Sequence, residues 1–172
     1  MKSLLVVVDM QRDFVTDALG TPQAQAIVER VAARARAGVA RGEDVVFTLD
    51  THGPDYLRTQ EGRNLPVAHC IRGTDGWRLV DALEGIPGRR YEKPAFGSVE
   101  LMQDAAQAGY DRVELVGVCT DICVLSNAML LKAALPEAEV VVDAACCAGT
   151  TVENHRRALE AMAVCQIRCE NA

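Results

Sequence analysis

Residues 112–135 read RVELVGVCTDICVLSNAMLLKAAL, and the fold turns on this stretch. RVELVGV (112–118) is a β-branched, apolar run of strand length. Almost no loop separates it from 122–135, which reads as a helix and stops before Pro136. A buried strand that passes at once into a helix is half of a βαβ unit. Such units build parallel sheets covered by helices on both faces.

The same alternation runs outward to both ends. Upstream, SLLVVVD (3–9) reads as a strand, and 22–41 as an Ala- and Arg-rich helix with Thr21 as N-cap and Pro22 in its first turn. DVVFTLD (44–50) is a second strand, 75–84 a short helix capped by Asp75, and RRYEK (89–93) a third strand. A helix over 97–108 is capped near Gly97 or Ser98. Downstream, EVVVDA (139–144) is a strand, Thr150 or Thr151 caps a helix over 152–163, and VCQIRC (164–169) is the last strand. Six strands, with a helix after each of the first five, predict one domain over 1–172. Its fold class is α/β: a doubly wound six-stranded parallel sheet in the order 3-2-1-4-5-6. One part of the pattern is irregular, a polar loop from Thr51 to about Thr74; a loop that long inside a compact domain is usually functional.

Composition narrows the function classes. The 172 residues are 49 % hydrophobic and 24 % charged, near the globular average, which argues against disorder. Aromatics make up only 4 %, so the core is expected to be Val, Leu, Ala and Ile. The net charge is −6 and no basic run exists, which excludes phosphate-backbone recognition and points to a small-molecule partner instead of nucleic acid. No stretch approaches the ~18 apolar residues of a membrane span. The seven cysteines are an odd number, and Leu4–Val8 is too short for a signal core, so the expectation is a reducing cytoplasm with most cysteines packed as small hydrophobes.

In an open parallel sheet, ligands bind beyond the carboxyl ends of the strands where the strand order reverses, here between the first and fourth strands. Asp9 ends the first strand. Cys123 falls in the first turn of the helix after the fourth, and Lys93 ends the third. A carboxylate, a thiol and an ammonium therefore meet at one edge. A helix N-terminus and a nearby Lys both favour the thiolate, so a lowered Cys123 pKa is expected. Each residue alone has a bland reading as a cap, a solvated end or core; their common edge carries the functional one. The long loop offers a second constellation, Asp50, His52 and His69. Asp-Thr-His places two ligands on one side of an extended segment, and two imidazoles with a carboxylate suit Zn²⁺, with Fe²⁺ or Mn²⁺ as alternatives. Gly117 is read as allowing close approach of the fourth strand to the site. Cys146-Cys147 and Cys165-x3-Cys169 are read as packing, and His155 as a solvated helix residue.

VVVDMQRDFV, the Lys of YEKPAFGS and GVCTDICVLSNA resemble the three signature segments of the isochorismatase-like cysteine hydrolases, in order and over residues 4 to about 164. The resemblance implies a catalytic triad of Asp9, Lys93 and Cys123. It also implies a cis Val118–Cys119 peptide and an oxyanion hole of the Cys119 and Cys123 N–H groups. The loop is similar to the Asp-x-His…His metal site of the nicotinamidase branch, in which Glu61 is the candidate extra ligand. Where that branch often carries Trp, this chain reads Asp50-Thr51-His52 and Pro66-Val67-Ala68-His69, leaving Phe14 and Phe96 as the candidate pocket aromatics. The resemblance implies a metal-assisted amidohydrolase, nicotinamidase-like, that passes through a Cys thioester, with a water near the metal resolving it, and a homo-oligomeric assembly. The alternatives are hydrolysis of another small amide, carbamoyl or ureido substrate, or a non-catalytic metal- or thiol-sensing protein.

Overall fold

The computed structural model describes residues 1–172. Six strands form one sheet: β1 Ser3–Val8, β2 Asp44–Asp50, β3 Arg89–Lys93, β4 Arg112–Val118, β5 Glu139–Ala148 and β6 Arg168–Glu170. Their spatial order is β3-β2-β1-β4-β5-β6 and every pairing is parallel, as the alternation predicts. Seven α-helices accompany them: α1 Arg12–Val15, α2 Pro22–Ala40, α3 Gln60–Asn64, α4 Asp81–Glu84, α5 Val99–Ala108, α6 Leu125–Ala134 and α7 Val152–Val164.

Period-two alternation within β1 splits the core into two layers. Leu4, Val6 and Val8 join Leu101, Leu131 and Met162, which belong to α5, α6 and α7. Leu5 and Val7 point the other way, onto Ile27, Val31 and Ala35 of α2 and Leu83 of α4. Small side chains on α2 let that helix lie close to the strands. β1 is central and buried on both faces, which is why it reads as a continuous apolar run rather than an alternating one.

Close approach is enforced where β1 and β4 part. Gly117 has φ +114, and a Cβ there would lie 2.2 Å from the Val8 carbonyl oxygen. Only glycine fits, as expected from its place beside the site. One residue beyond β1, Asp9 takes φ +48, a left-handed conformation that turns its side chain off the strand path.

Several boundaries differ from the sequence reading, for local reasons. Residues 75–80 are not helical, and α4 covers only Asp81–Glu84. The Arg12 and Asp13 N–H groups donate to the Arg78 and Gly76 carbonyls, and Gln11 bridges Leu79, so this segment is paired with the start of α1 instead of coiling on itself. The long loop holds a 3₁₀ turn at Tyr56–Arg58 and the short α3, whose N-cap Thr59 accepts from the Gly62 N–H at 3.0 Å. β5 continues to Ala148, so Cys146 and Cys147 are buried strand residues, in line with packing. At the end of the chain, α7 runs through Val164 and β6 spans only Arg168–Glu170. Cys165 is consequently exposed at the helix end and is not a core residue. No helix is long and apolar enough to cross a membrane.

Candidate active site and metal cluster

β1, β2, β3 and the turn after β4 deliver their side chains to one crevice at the carboxyl edge. Lys93, fully buried, is its hub. Its Nζ lies 2.7 Å from Asp9 Oδ2, 3.2 Å from Asp50 Oδ1 and 3.5 Å from Cys123 Sγ, and it donates to the Ala95 carbonyl at 3.0 Å. The three residues expected at the strand ends are thus brought together. The Thr48 hydroxyl donates to Asp9 Oδ1 at 2.6 Å and fixes the carboxylate from the other side.

Burial dominates the electrostatics. It raises the Asp9 carboxyl above the usual carboxylate range, although Lys93 opposes it. Burial also pushes the Cys123 thiol up, and the Asp9 charge adds to this more than Lys93 subtracts. The lowered thiol expected from the sequence is therefore corrected: the Cys123 thiol is raised, and burial is the first cause. The helix also starts differently. Thr120–Val124 form a π-type turn ahead of α6, so Cys123 sits inside that turn and not in the first turn of an α-helix. Lys93 keeps its charge, because Asp9, Cys123 and Asp50 outweigh the burial that would remove it.

The Val118–Cys119 peptide is cis, as the resemblance implies. The Cys119 carbonyl accepts from Ile122 and Val124 at 3.0 and 3.1 Å, closing the turn, while the Cys119 N–H donates to no backbone or side-chain acceptor. Burial first, then the Asp121 and Asp9 charges, push the Cys119 thiol up to about 12.

Asp50, His52, Glu61 and His69 form the second cluster, with one ligand atom from each inside a 4.8 Å span. His52 Nε2 is 2.8 Å from Asp50 Oδ2 and 3.6 Å from Glu61 Oε1. His69 Nε2 is 3.5 and 3.8 Å from the same two atoms. The loop closes on itself to achieve this: the His52 N–H donates to the Cys70 carbonyl and the Arg72 N–H to the His52 carbonyl. Tyr56 fills the interior of the loop between the imidazoles, and its hydroxyl donates to the Leu65 carbonyl at 2.9 Å. His69 Nδ1 lies 2.7 Å from the Val67 carbonyl, which turns Nε2 and its lone pair toward the carboxylates.

The donor set fits a divalent cation. Two inward-facing Nε2 atoms and two carboxylates converge in a buried space, and such a set stays together only with positive charge among it. In keeping with this, burial alone would raise Asp50, yet His52, His69 and Lys93 hold it well below the usual range. Burial and the Asp50 charge push Glu61 up. Burial would lower His69, but Asp50 and the Val67 carbonyl raise it.

A cavity of about 320 Å³ opens onto both clusters. Cys119 and Cys123 form one wall, Asp50, Glu61 and His69 the other, and Phe14 and Phe96 contribute the apolar sides. Its lining contains no Lys or Arg.

Several supporting residues escaped the sequence reading. Gln11 clamps the backbone of Asp50: its Nε2 donates to the Asp50 carbonyl and its Oε1 accepts the Asp50 N–H. Asn127 donates to the Cys123 and Phe96 carbonyls and accepts the Ser98 N–H, tying the nucleophile turn to the loop after β3. His155 is not a solvated helix residue; its Nδ1 is 2.7 Å from the hydroxyl oxygen of the buried Thr120. Gln11, inside the VVVDMQRDFV segment and two residues from Asp9, carried a weak signal. Asn127 and His155 carried none, because nothing local marks a residue whose partner is distant in sequence.

Comparison with known proteins places this arrangement. Residues 3–170 match the isochorismatase domain family. A protein of Bacillus subtilis (strain 168) described as an uncharacterized isochorismatase family protein, PncA, is 30 % identical over 144 residues, covering 75 % of this chain and 78 % of its own. Among solved structures, the Pyrococcus horikoshii pyrazinamidase in complex with zinc superposes with TM-score 0.85 at 29 % identity, covering 98 % of both chains. The N-carbamoylsarcosine amidase of Thermoplasma acidophilum superposes with TM-score 0.83 at 27 % identity, covering 98 % of this chain and 95 % of that one. With the family match spanning almost its whole length and a relative 30 % identical over three quarters of it, the chain belongs to the isochorismatase family of hydrolases.

Proposed function

We propose that the protein hydrolyses a small, uncharged amide, nicotinamide or a close relative, with Cys123 as nucleophile, Asp9 as general base and Lys93 as the cation that orders them. One observation carries the reading: a single buried ammonium lies 2.7 Å from the Asp9 carboxylate and 3.5 Å from the sulfur of Cys123, a residue that lines a cavity large enough for a one-ring amide.

The steps follow from the resting pair of acid and base. Asp9 takes the Cys123 proton as sulfur attacks the amide carbonyl carbon and a C–S bond forms. Its raised pKa suits it to that transfer. The carbonyl oxygen becomes an oxyanion held by the Cys119 and Cys123 N–H groups. Collapse breaks the C–N bond, and Asp9 passes its proton to the leaving nitrogen, which departs as ammonia. Water then adds to the thioester and gives a proton to Asp9. The C–S bond breaks, the acid leaves, and the proton returns to sulfur. Lys93 holds Asp9 oriented throughout.

Asp50, His52 and His69, with Glu61 as fourth ligand, would hold a divalent ion, Zn²⁺ by the chemistry of the donors. Bound there, it would supply Lewis acidity to the cavity that Cys123 also lines. The lining also bears on the substrate. An N-carbamoyl amino acid brings a carboxylate, and this cavity offers Asp50 and Glu61 with no Lys or Arg to receive it.

The test is ammonia release from a panel of nicotinamide, pyrazinamide and N-carbamoylsarcosine by the metal-loaded protein. Turnover of the first two with little of the third supports the reading. Preference for N-carbamoylsarcosine overturns the substrate, and no ammonia from any amide overturns the hydrolase itself.

A further inference from the structure

The turn that carries Cys123 is fastened by a segment to which the mechanism above assigns no part. Thr120 is fully buried, and its hydroxyl shares a 2.7 Å hydrogen bond with His155 Nδ1, in the first turn of α7. The next residue, Asp121, accepts the Thr150 N–H at 2.8 Å and the Thr150 hydroxyl at 2.5 Å. Gly149 makes the approach possible: a Cβ there would lie 2.9 Å from Asp121 Oδ1 and 2.8 Å from the His155 backbone nitrogen. His155 is itself fixed, since its N–H donates to the carbonyl of Thr151, the residue whose side chain caps α7.

The two fastenings differ in strength. Asp121 and Thr150 meet near the surface, where water competes for both. The Thr120 hydroxyl has no water to fall back on, so its bond to His155 is the one that is costly to lose. A neutral imidazole carries either a proton or a lone pair at Nδ1, and a hydroxyl answers either. At the start of the turn the Cys119 N–H makes no hydrogen bond, and at its end Asn127 holds the Cys123 carbonyl. Between them Thr120 and Asp121 are held by the 149–155 segment, and the buried Thr120 contact bears most on the tilt of the turn about the end of β4.

We infer that His155 is a positioning residue: acting through the buried Thr120 hydroxyl, it sets the orientation of the 119–123 turn, and with it the aim of the Cys123 sulfur and the Cys119 N–H. The inference rests on the reading of Cys123 as nucleophile given above. His155 touches neither substrate nor the reacting atoms. A displacement of the turn by about 1 Å would cost on the order of a hundredfold in turnover, while Phe14, Asp50, Glu61, His69 and Phe96, which also line the cavity, keep their places.

The test compares His155→Leu, His155→Asn and His155→Gln with Thr120→Val and the double variant His155→Leu/Thr120→Val. Melting temperature and metal content are measured on each. His155→Leu is expected to lower kcat by roughly tenfold to a hundredfold, with KM changed by less than about threefold. His155→Asn recovers most of the loss, because its amide stands where Nδ1 stood, whereas His155→Gln does not. Thr120→Val repeats the loss and the double variant adds nothing to it. The rate of Cys123 alkylation by iodoacetamide, followed by peptide mapping, falls in the same order and requires no substrate. Wild-type kcat in His155→Leu overturns the inference. So does equal damage from all three His155 substitutions in step with a falling melting temperature, which is the behaviour of a purely structural residue. If the wild type hydrolyses no amide, the proposed function fails by itself, and the alkylation series still decides: unchanged Cys123 reactivity in both His155→Leu and Thr120→Val overturns the positioning role.

Discussion

Toward the amino-terminal end of the strands, Arg34 of α2 grips Glu114 of β4 with two hydrogen bonds, at 2.6 and 3.0 Å, and Glu43 at 2.9 Å. Arg41 also pairs with Glu43, and Arg112 with Glu114. At the carboxyl end, Asp9, Asp50 and Glu61 converge on one Lys and two imidazoles. Both ends bury charge beside the same strands. The first matches each carboxylate with a guanidinium, and that matching holds α2 to the sheet. The second keeps a surplus of carboxylate facing a cavity, and a buried surplus is tolerable only where a cation or a proton is meant to sit. Complete pairing marks structure here, and incomplete pairing marks chemistry.

The sharpest way to break this contrast is to remove the reacting pair. Cys123→Ala is expected to lower kcat by on the order of 10⁴-fold or more, and Asp9→Asn by about 10³-fold or more, with circular dichroism unchanged. A Cys123→Ala protein that keeps substantial turnover would place the chemistry elsewhere. The metal cluster comes next. His52→Ala and His69→Ala should lose nearly all bound metal by elemental analysis, and ammonia release with it. Glu61→Gln should weaken metal retention less, since its carboxylate is the farthest from the imidazoles. Equal metal in wild type and the His variants would remove the cluster from consideration.

The paired end predicts the opposite outcome. Arg34→Met should destabilise the fold by about 2–4 kcal/mol, because the largely buried Glu114 and Glu43 lose the guanidinium they share and keep only Arg112 and Arg41, while kcat and KM of the remaining folded protein stay near wild type. The acid limb of the stability profile sharpens this. Burial alone would raise Glu43, but hydrogen bonds from Arg34 and Arg41 overcome it and hold its carboxyl below its ordinary 4.5. A depressed carboxylate contributes stability above that ordinary value and loses it as pH falls through the lowered one. Melting temperature should therefore decline below about pH 4.5 in the wild type and decline less steeply in Arg34→Met. An unchanged slope would mean that the pair does not hold the helix.

The smallest effect is in thiol labelling. Cys165 is exposed and Cys123 is buried with a raised pKa, so limiting iodoacetamide should label Cys165 without loss of activity. Activity should fall only as Cys123 is modified. Loss of activity that tracks Cys165 instead would break the link between the buried turn and turnover.

Sheet order, edge and the meeting of Asp9, Lys93 and Cys123 were legible in the sequence for a physical reason. Apolar runs such as Leu4–Val8 and Leu115–Val118 read as strands buried on both faces, and connection rules then fix which ends lie together. Asp9, Lys93 and Cys123 stand at those ends, so backbone periodicity alone delivers them to one crevice. Asp50, His52 and His69 were legible as candidate metal ligands by residue type and by the length of their loop, and Glu61 only through the family resemblance. Tertiary structure decided what depends on burial and on partners far apart in the chain. It set the direction of the Cys123 pKa, because the desolvation of a thiol is a property of everything packed around it. It made 75–80 a paired segment instead of a helix, because α1 took its hydrogen bonds. It exposed Cys165, because α7 runs through Val164 and the last strand begins only at Arg168. And it seated His155 on Thr120, 35 residues away in sequence, through a contact that Gly149 permits and no local pattern records.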